Sequence, residues 1–236
     1  MIFYKVYDCN QKWLKVKAVK KIIFENKSEF RNFCKQKLLK KTNSYQKDKA
    51  TCKELLNLLK KRKPHSILAY IPLACEVSIV PILNAMRRKS RVYVPFMECV
   101  SFKMVPFRLP LHTKEFGIRE PNNSFTCKKK IDLAIVPVLG VDGAFKRIGF
   151  GKGMYDRFFE SLRYRPEILF VQRQECFTKE ILSQEHDIEA DIYLTPHKTI
   201  IKRGKYGSRI SNSWSNGGSK RRRRIFCSKK NGISKL

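Results

Sequence analysis

Short apolar runs that lack polar alternation occupy the middle of the chain. They are Ile67 to Ile71, Val92 to Phe96, Leu133 to Val138 and Ile168 to Val171. Runs of this kind are typical of strands buried on both faces, as in a parallel sheet covered by helices. The segments Ser78 to Lys89 and Gly153 to Leu162 predict crossover helices between them. The pattern therefore predicts an α/β fold in which a mostly parallel sheet is flanked by helices.

An amphipathic helix is expected before the first of these runs. Asn26 is placed to cap it, Glu29 follows three residues later, and one face carries Phe30, Phe33, Cys34 and Leu38. A second helix is expected to end near Lys63 and Pro64. We assign 1–26 to an N-terminal extension, 27–197 to the domain, and 198–236 to a disordered basic tail without a pattern that buries a face.

The positive charge lies mainly at the two ends of the chain. The formal net charge is +31, and residues 198–236 contain 13 basic and no acidic residues. The tail includes the cations Lys220 to Arg224 close to Phe226, with Trp214 and Tyr206 upstream. Basic and aromatic residues together can bind single-stranded nucleic acid, so non-specific binding of nucleic acid through the tail is one expectation.

Several classes of protein have little support in the sequence. No apolar run is long enough to span a membrane, and the amino terminus does not resemble a signal peptide. The eight cysteines show no C-x-x-C pair, which favours reduced thiols in a cytoplasmic protein. The four histidines fall in no evident triad, so hydrolase function is not indicated. We expect a cytoplasmic, monomeric protein without a membrane partner.

A glycine-rich loop between a predicted strand and a predicted helix is the most informative motif. Gly149, Gly151 and Gly153 alternate with larger residues, and Arg147 and Lys152 lie among them. Small residues let backbone N–H groups approach phosphate oxygens, and the two cations neutralise phosphate charge. A carboxylate in the first helical turn, that of Asp156, suits magnesium. The pattern alone also fits an ordinary glycine-rich turn before a helix.

Six sequence motifs occur together along the chain and distinguish a specific protein family from an ordinary glycine-rich turn. They are KSEFR from Lys27, AYIPLACEV from Ala69, VYVPF from Val92, GIREP from Gly117, RIGFGKGMYDRF from Arg147 and QEHDIEAD from Gln184. In this order and spacing, over about Lys27 to Pro196, the sequence resembles the 5-formyltetrahydrofolate cyclo-ligase family, also called methenyltetrahydrofolate synthetases. The resemblance implies a single three-layer α/β domain. It also implies that 5-formyltetrahydrofolate and ATP react, with Mg²⁺, to give 5,10-methenyltetrahydrofolate, ADP and phosphate.

The resemblance also implies roles for individual residues. Lys152 and Arg147 would stabilise the phosphoryl group that is transferred to the formyl oxygen, and Asp156 and Asp187 would hold magnesium. The folate would contact Tyr70, Glu76, Phe150 and Met154. The implied ATP contacts are Lys27, Arg31, Arg147, Gly149, Gly151, Lys152, Gly153 and Tyr155.

The sequence departs from the family pattern at a few positions. Met154 and Tyr155 stand where most members have two tyrosines, and Val138 stands where the family has a glycine after the strand proline. Phe145 lies near the place of the glycine that usually precedes the arginine of the loop. The tyrosine change predicts that one folate or nucleotide contact differs from that of most family members.

Other interpretations remain open on the sequence alone. Glu76 can instead cap the helix near Ser78, and Asp187 can be a helix cap or a surface acid. The whole chain can be a polyanion-binding protein with a degenerate catalytic domain. The architecture is also shared with sugar-phosphate isomerases and CoA transferases, and fold alone does not separate these classes.

Overall fold

The structure is a computed structural model that describes residues 3–7, 13–17, 22–39, 43–114, 117–124, 130–202 and 210–211. The helices are α1 Lys27–Leu39, α2 Ser44–Arg62, α3 Val80–Met86 and α4 Met154–Glu160. The strands are β1 Phe3–Tyr7, β2 Trp13–Lys17, β3 Ser66–Leu68, β4 Arg91–Glu98, β5 Ser101–Pro106, β6 His112–Thr113, β7 Arg119–Glu120, β8 Leu133–Pro137, β9 Gly140–Val141, β10 Arg147–Ile148, β11 Glu167–Val171, β12 Ile192–Leu194, β13 Thr199–Ile201 and β14 Ile210–Ser211.

Within the described residues, eight strands form the central sheet in the order β14-β13-β12-β11-β8-β3-β4-β5. The five inner strands, from β12 to β4, pair in parallel. The β4–β5 pair and the pairs that involve β13 are antiparallel. The predicted mostly parallel sheet is therefore confirmed, with antiparallel strands at both edges.

Alternate side chains of each inner strand enter different layers of the core. Ile67, Leu133 and Ile135 pack on one face with residues of α2 and α3. Leu68 and Val136 pack on the other face with Phe158 of α4. Because both faces are covered, the strands tolerate apolar residues at every position, which explains the uninterrupted runs in the sequence. The three-layer α/β fold is confirmed.

Helix α1 forms a smaller core against the short β9–β10 hairpin. The carboxamide of Asn26 accepts a hydrogen bond of 2.9 Å from the backbone N–H of Glu29, so the predicted cap is confirmed. Phe30 and Cys34 are buried, and Gly140 of β9 lies directly beneath them. Phe24, within the predicted N-terminal extension, also packs in this core against Phe30.

Some predicted elements differ in length from those observed. Helix α3 begins at Val80, because Pro81 favours the first helical turn, and the helix ends at Met86 rather than Lys89. The strand predicted from Ile67 to Ile71 ends at Leu68, after which the chain turns into a loop.

The sheet extends beyond His197, into the segment expected to form the tail. Strand β13 pairs with β12 in antiparallel register, with Ile201 opposite Ile192. The apolar, β-branched sequence of Thr199–Ile201 favours this pairing. Residues 212–236, with the predicted nucleic-acid-binding cluster Lys220 to Arg224, lie outside the described residues. In the part of the chain that is described, no helix has the length and apolar character needed to cross a membrane.

Candidate active site

The glycine-rich loop joins β10 to α4 at the carboxyl end of the parallel sheet. Gly151 and Gly153 have φ values of +116° and +61°, which residues with a Cβ adopt rarely. Gly149 is needed for another reason, because a Cβ there would lie 2.3 Å from Nη1 of Arg147. The loop therefore requires glycine at each of the three predicted positions.

Arg147 is held in a buried position beneath this loop. Its Nε donates a hydrogen bond of 3.2 Å to the carbonyl oxygen of Pro137, at the end of β8. Nη1 lies 3.7 Å from a carboxylate oxygen of Asp156, and the guanidinium lies 4.9 Å from the centre of the Tyr155 ring. These contacts fix the cation in one orientation at the end of the sheet.

A polar cavity of about 390 Å³ lies on one side of Arg147. It is lined by Lys27, Arg31, Arg147, Gly149, Gly151, Gly153, Asp156, Arg157, Glu160, Gln184, His186 and Asp187. Lys27 and Arg31 lie one turn apart on α1, and Nε of Arg31 donates to the carbonyl oxygen of Gly149 at 3.0 Å. The combination of cations, glycines and carboxylates suits a polyphosphate.

The two carboxylates expected to hold magnesium both line this polar cavity, and each has cationic or N–H partners. Nζ of Lys27 lies 2.6 and 2.5 Å from the two carboxylate oxygens of Asp187, which also accepts from the N–H of Gln184 at 2.7 Å. Asp156 accepts a hydrogen bond of 3.3 Å from the N–H of Ile188. Among the residues that the structure describes, no group of three or more His, Cys, Asp or Glu side chains can hold a metal ion.

The donor set nevertheless fits magnesium that arrives with a nucleotide. Mg²⁺ is usually held by one or two carboxylates together with phosphate oxygens of the substrate and water. Asp156 and Asp187 supply oxygen donors to the same cavity. A metal ion at Asp187 would compete with the Lys27 ion pair for the carboxylate oxygens.

A second cavity, mainly apolar and of about 330 Å³, lies on the other side of Arg147. It is lined by Tyr70, Ile71, Leu73, Glu76, Pro95, Met97, Phe102, Ile118, Arg119, Pro137, Arg147, Phe150, Lys152, Gly153, Met154 and Tyr155. Arg147 and Gly153 belong to both cavities. The four residues expected to contact folate are all present, and Phe150 is 41% exposed.

Glu76 supplies a carboxylate to the apolar cavity. Oε2 accepts a hydrogen bond of 2.9 Å from the N–H of Leu73, which closes a turn before α3. Burial raises the pKa of Glu76 to about 6, against the lowering effects of that hydrogen bond and of the Arg147 and Arg173 charges. The residue lies three positions before Ile79, the N-cap of α3, so the helix-cap interpretation of Glu76 is wrong.

Lys152 and Tyr155, which the resemblance assigned to ATP, line the apolar cavity. Tyr155 is partly buried, and desolvation raises the pKa of its phenol. Tyr70 is buried and donates a hydrogen bond of 2.9 Å to the carbonyl oxygen of Val77. The GIREP segment contributes Ile118 and Arg119 to the wall of the same cavity.

Arg157 is a site residue that the sequence analysis did not select. Its guanidinium donates hydrogen bonds of 2.6 Å to the carbonyl oxygens of Lys152 and Val100, and it lines the polar cavity. The sequence contains a signal that could have identified Arg157, because this residue lies one helical turn after Gly153 within the glycine-loop motif. This cation thus joins the loop to the turn between β4 and β5.

Phe145 adopts φ +63°, a conformation that favours glycine. It occupies the position near which the family has a glycine. The ring is buried and lies 6.3 Å from that of Tyr193 in an edge-to-face contact. Packing of the aromatic ring therefore offsets the strained backbone.

Solved structures share this fold. A methenyltetrahydrofolate synthetase from Aquifex aeolicus matches with a TM-score of 0.62 and 23% identity, over 73% of this chain and 91% of that chain. One from Mycoplasma pneumoniae matches with a TM-score of 0.56 and 20% identity, over 72% and 98% of the two chains. At these identities the matches establish the fold.

Sequence comparisons identify the family. A 5-formyltetrahydrofolate cyclo-ligase from Mycolicibacterium smegmatis is 28% identical over 58% of this chain and 76% of its own length. A probable 5-formyltetrahydrofolate cyclo-ligase from Caenorhabditis elegans is 25% identical over 76% of this chain and 97% of its own. The family profile matches residues 23–196. The chain belongs to the 5-formyltetrahydrofolate cyclo-ligase family and is a ligase of folate metabolism.

Proposed function

We propose that the protein cyclises 5-formyltetrahydrofolate to 5,10-methenyltetrahydrofolate at the expense of ATP. The observation that carries this proposal is the pair of cavities that meet at Arg147 and Gly153, one polar and cationic and the other apolar with a single carboxylate. The polar cavity suits the triphosphate, and the apolar cavity suits the pterin. The two reacting groups then meet where the cavities join.

In the apolar cavity, Glu76 orients the folate. Its carboxylate accepts hydrogen bonds from the amino and ring N–H groups of the pterin, while Tyr70, Phe150 and Met154 supply apolar contact area. These contacts direct the 5-formyl oxygen toward the glycine loop. Holding the oxygen in line with the γ-phosphorus supplies much of the rate enhancement, because alignment replaces a bimolecular encounter.

In the polar cavity, Lys27, Arg31 and the loop glycines hold the triphosphate. The formyl oxygen attacks the γ-phosphorus and the bond to ADP breaks, which leaves a phosphorylated iminium at N5. N10 then adds to the activated carbon, and phosphate leaves together with the N10 proton. Lys152 and Arg147 stabilise the negative charge of the phosphoryl group during its transfer.

Asp156 and Asp187 would hold a magnesium ion that accompanies ATP. The ion supplies additional neutralisation of phosphate charge. The residues of the chain bind and orient both substrates, and this reaction requires no side-chain nucleophile.

The test is a spectroscopic assay of 5,10-methenyltetrahydrofolate formation from 5-formyltetrahydrofolate. The full-length protein is expected to form product only when ATP and Mg²⁺ are both present, with ADP and phosphate in equal amounts. Omission of ATP and replacement of Mg²⁺ by EDTA are the matched controls. Product formation without ATP, or a folded protein that forms none with every component present, would contradict the proposal.

A further inference from the structure

The loop that carries Glu76 is held in place by an ion pair outside both cavities. Arg173 follows β11, and its Nε and Nη2 lie 2.7 and 2.8 Å from the two carboxylate oxygens of Asp48 on α2. The two side chains are only 15% and 14% exposed. A paired guanidinium–carboxylate contact with this little solvent has a fixed geometry.

The same ion pair binds the backbone of the Glu76 loop at three places. Nη1 of Arg173 donates to the carbonyl oxygen of Ala74 at 2.8 Å, and Nη2 donates to the carbonyl oxygen of Glu76 itself. Oδ2 of Asp48 accepts a hydrogen bond of 3.1 Å from the N–H of Ser78. Arg173 therefore supplies N–H donors to residues 74 and 76, and Asp48 supplies a carboxylate acceptor to residue 78.

These contacts determine where the Glu76 carboxylate lies. The loop between β3 and α3 is not part of the sheet. Glu76 is the residue of this loop whose charged group lines the apolar cavity. We propose that Asp48 and Arg173 are positioning residues for the folate site, which hold the Glu76 carboxylate toward the substrate without touching the substrate. This inference rests on the proposed function in one respect, that Glu76 binds the folate.

Arg173 also has an electrostatic effect on Glu76. The charged and titratable groups that face Glu76 are Arg147, Arg173, Tyr70, Tyr155 and Cys75. The two arginines lower the pKa of the carboxyl against the effect of burial. Loss of the Arg173 charge should therefore raise the pKa of Glu76 and reduce the ionised fraction near pH 6.

The chain offers a matched control that joins the same two elements. Nζ of Lys47 on α2 donates a hydrogen bond of 2.6 Å to Oε1 of Gln174, next to Arg173. Lys47→Met removes a cation and a link between α2 and the segment after β11. It leaves the contacts with residues 74–78 in place.

The experiment measures steady-state kinetics of Arg173→Met, Arg173→Lys, Asp48→Asn and Lys47→Met. For Arg173→Met we expect KM for 5-formyltetrahydrofolate to rise about tenfold or more, while KM for ATP stays within about twofold. The increase in folate KM at acidic pH should also begin at a higher pH than in the wild type. Arg173→Lys should return it to the wild-type pH, because this variant restores the charge. Asp48→Asn should raise the folate KM less, and Lys47→Met should leave both KM values unchanged.

A merely structural role has a different signature. It would lower Tm and the active fraction, with both KM values and the pH profile unchanged, and this result would overturn the proposal. Circular dichroism and Tm report whether each variant folds. If Arg173→Met does not fold, the same comparison is made on Asp48→Asn and Arg173→Lys.

The double variant Glu76→Gln/Arg173→Met separates this inference from the proposed function. If Arg173 acts through Glu76, the double variant should have the same folate KM as Glu76→Gln alone, whereas independent effects would multiply. Glu76→Gln with an unchanged folate KM would contradict the proposed folate site itself. A raised folate KM in Glu76→Gln together with an unchanged one in Arg173→Met would overturn only the positioning role.

Discussion

Lys152 lies between Gly151 and Gly153, where the apolar cavity adjoins the glycine-rich loop. A cation at this point faces both the formyl oxygen of the folate and the phosphoryl group in the proposed reaction. It is therefore better placed to act on the transferring group than on the nucleotide as a whole. This placement differs from that of Lys27 and Arg31, which approach the polar cavity from α1.

Lys152→Ala should lower kcat by about 10²- to 10³-fold, because removal of one preorganised charge from a transferring group has effects of this size. KM for ATP should change much less, since Lys27, Arg31 and the loop glycines remain. The measurement is initial-rate kinetics in the methenyltetrahydrofolate assay. Lys49→Ala, at an exposed position of α2, is the control. A Lys152→Ala protein with wild-type turnover would remove the proposed role.

Glu76→Gln should raise the folate KM at pH 7 far more than the ATP KM, because it turns one acceptor toward the pterin into a donor. In the wild type, the raised pKa of about 6 means that folate affinity falls as the pH decreases through 6 and the carboxylate is protonated. Glu76→Gln should lose this pH dependence. Measurements of folate KM from pH 5 to 8 for both proteins test it, and parallel profiles would argue against Glu76 as the titrating group.

A rise in pH through 6 should favour folate binding at Glu76 but lower the free energy of unfolding. The pKa of Glu76 is higher in the folded protein than the ordinary value of 4.5, so the ionised carboxylate opposes folding. Its contribution to stability is most favourable below pH 4.5, and it decreases as the pH rises through 6. The protein thus maintains a charged carboxylate in an apolar cavity at some cost, as expected of a binding site.

At the scale of elements, α1 carries Lys27 and Arg31 to the polar cavity and rests on the β9–β10 hairpin. The helix and the hairpin pack closely against each other, because a Cβ at Gly140 would lie 2.7 Å from Phe30 and 2.9 Å from Sγ of Cys34. Arg147 is the first residue of β10 in this hairpin. The packing of Phe30 on Gly140 therefore sets the distance between two cationic parts of the site.

Gly140→Ala should destabilise the protein by about 1–3 kcal/mol through overpacking, and should raise KM for ATP more than KM for folate. The double variant Gly140→Ala/Phe30→Leu should recover part of both losses, since the smaller side chain makes room for the methyl group. Thermal unfolding and kinetics of the two single variants and the double variant measure this. Additive losses in the double variant would show that α1 does not rest on this contact.

The sequence predicted the elements better than their mutual contacts. The apolar runs around Ile67 and Leu133 predicted buried strands because each inner strand is covered on both sides. The pairing of Lys27 with Asp187 joins residues 160 positions apart, and no local pattern contains it. The same holds for Asp48 and Arg173, 125 positions apart, which lie outside all six motifs.

The ends of elements were also difficult to predict. The apolar run continues to Ile71, but the strand ends at Leu68 because the following residues form the wall of the apolar cavity. The hydrophobic pattern of the sequence indicates that a side chain is buried, but it does not distinguish burial in a sheet from burial in the wall of a cavity. Lys152 and Tyr155, which the resemblance assigned to the nucleotide, line the apolar cavity, and no local pattern indicates which of the two cavities a side chain at these positions faces.

At the scale of the whole molecule, the sheet extends past the last family motif, where β13 lies between β12 and β14. Lys198 and Lys202 flank it, and they form ion pairs with Glu175 and Glu189 at 3.0 and 2.7 Å. The N–H of Lys202 also donates to the carbonyl oxygen of Asp191 at 2.7 Å. These contacts tie the segment after His197 to the strand beside it.

Two truncations test where the folded domain ends. A protein truncated after Ser211 should keep its Tm and its ligase activity, and should lose most of any salt-sensitive affinity for nucleic acid. Truncation after His197 exposes the edge of β12, so we expect the free energy of unfolding to fall by about 2 kcal/mol and Tm by about 4–8 °C. Differential scanning calorimetry and binding to a labelled oligonucleotide at two salt concentrations measure these effects. Equal Tm values for the two proteins would place the end of the domain at His197.

The position of Arg147 and Gly153 in the walls of both cavities has a thermodynamic consequence. In the proposed reaction, a phosphate group that contacts the Arg147 guanidinium changes the charge at the wall that the pterin contacts. We therefore expect the two proposed substrates to bind cooperatively, and the factor by which ATP changes folate affinity then equals the factor by which folate changes ATP affinity. An inhibitor that fills only one cavity should therefore alter the occupancy of the other, and its apparent potency should depend on the concentration of the substrate with which it does not compete.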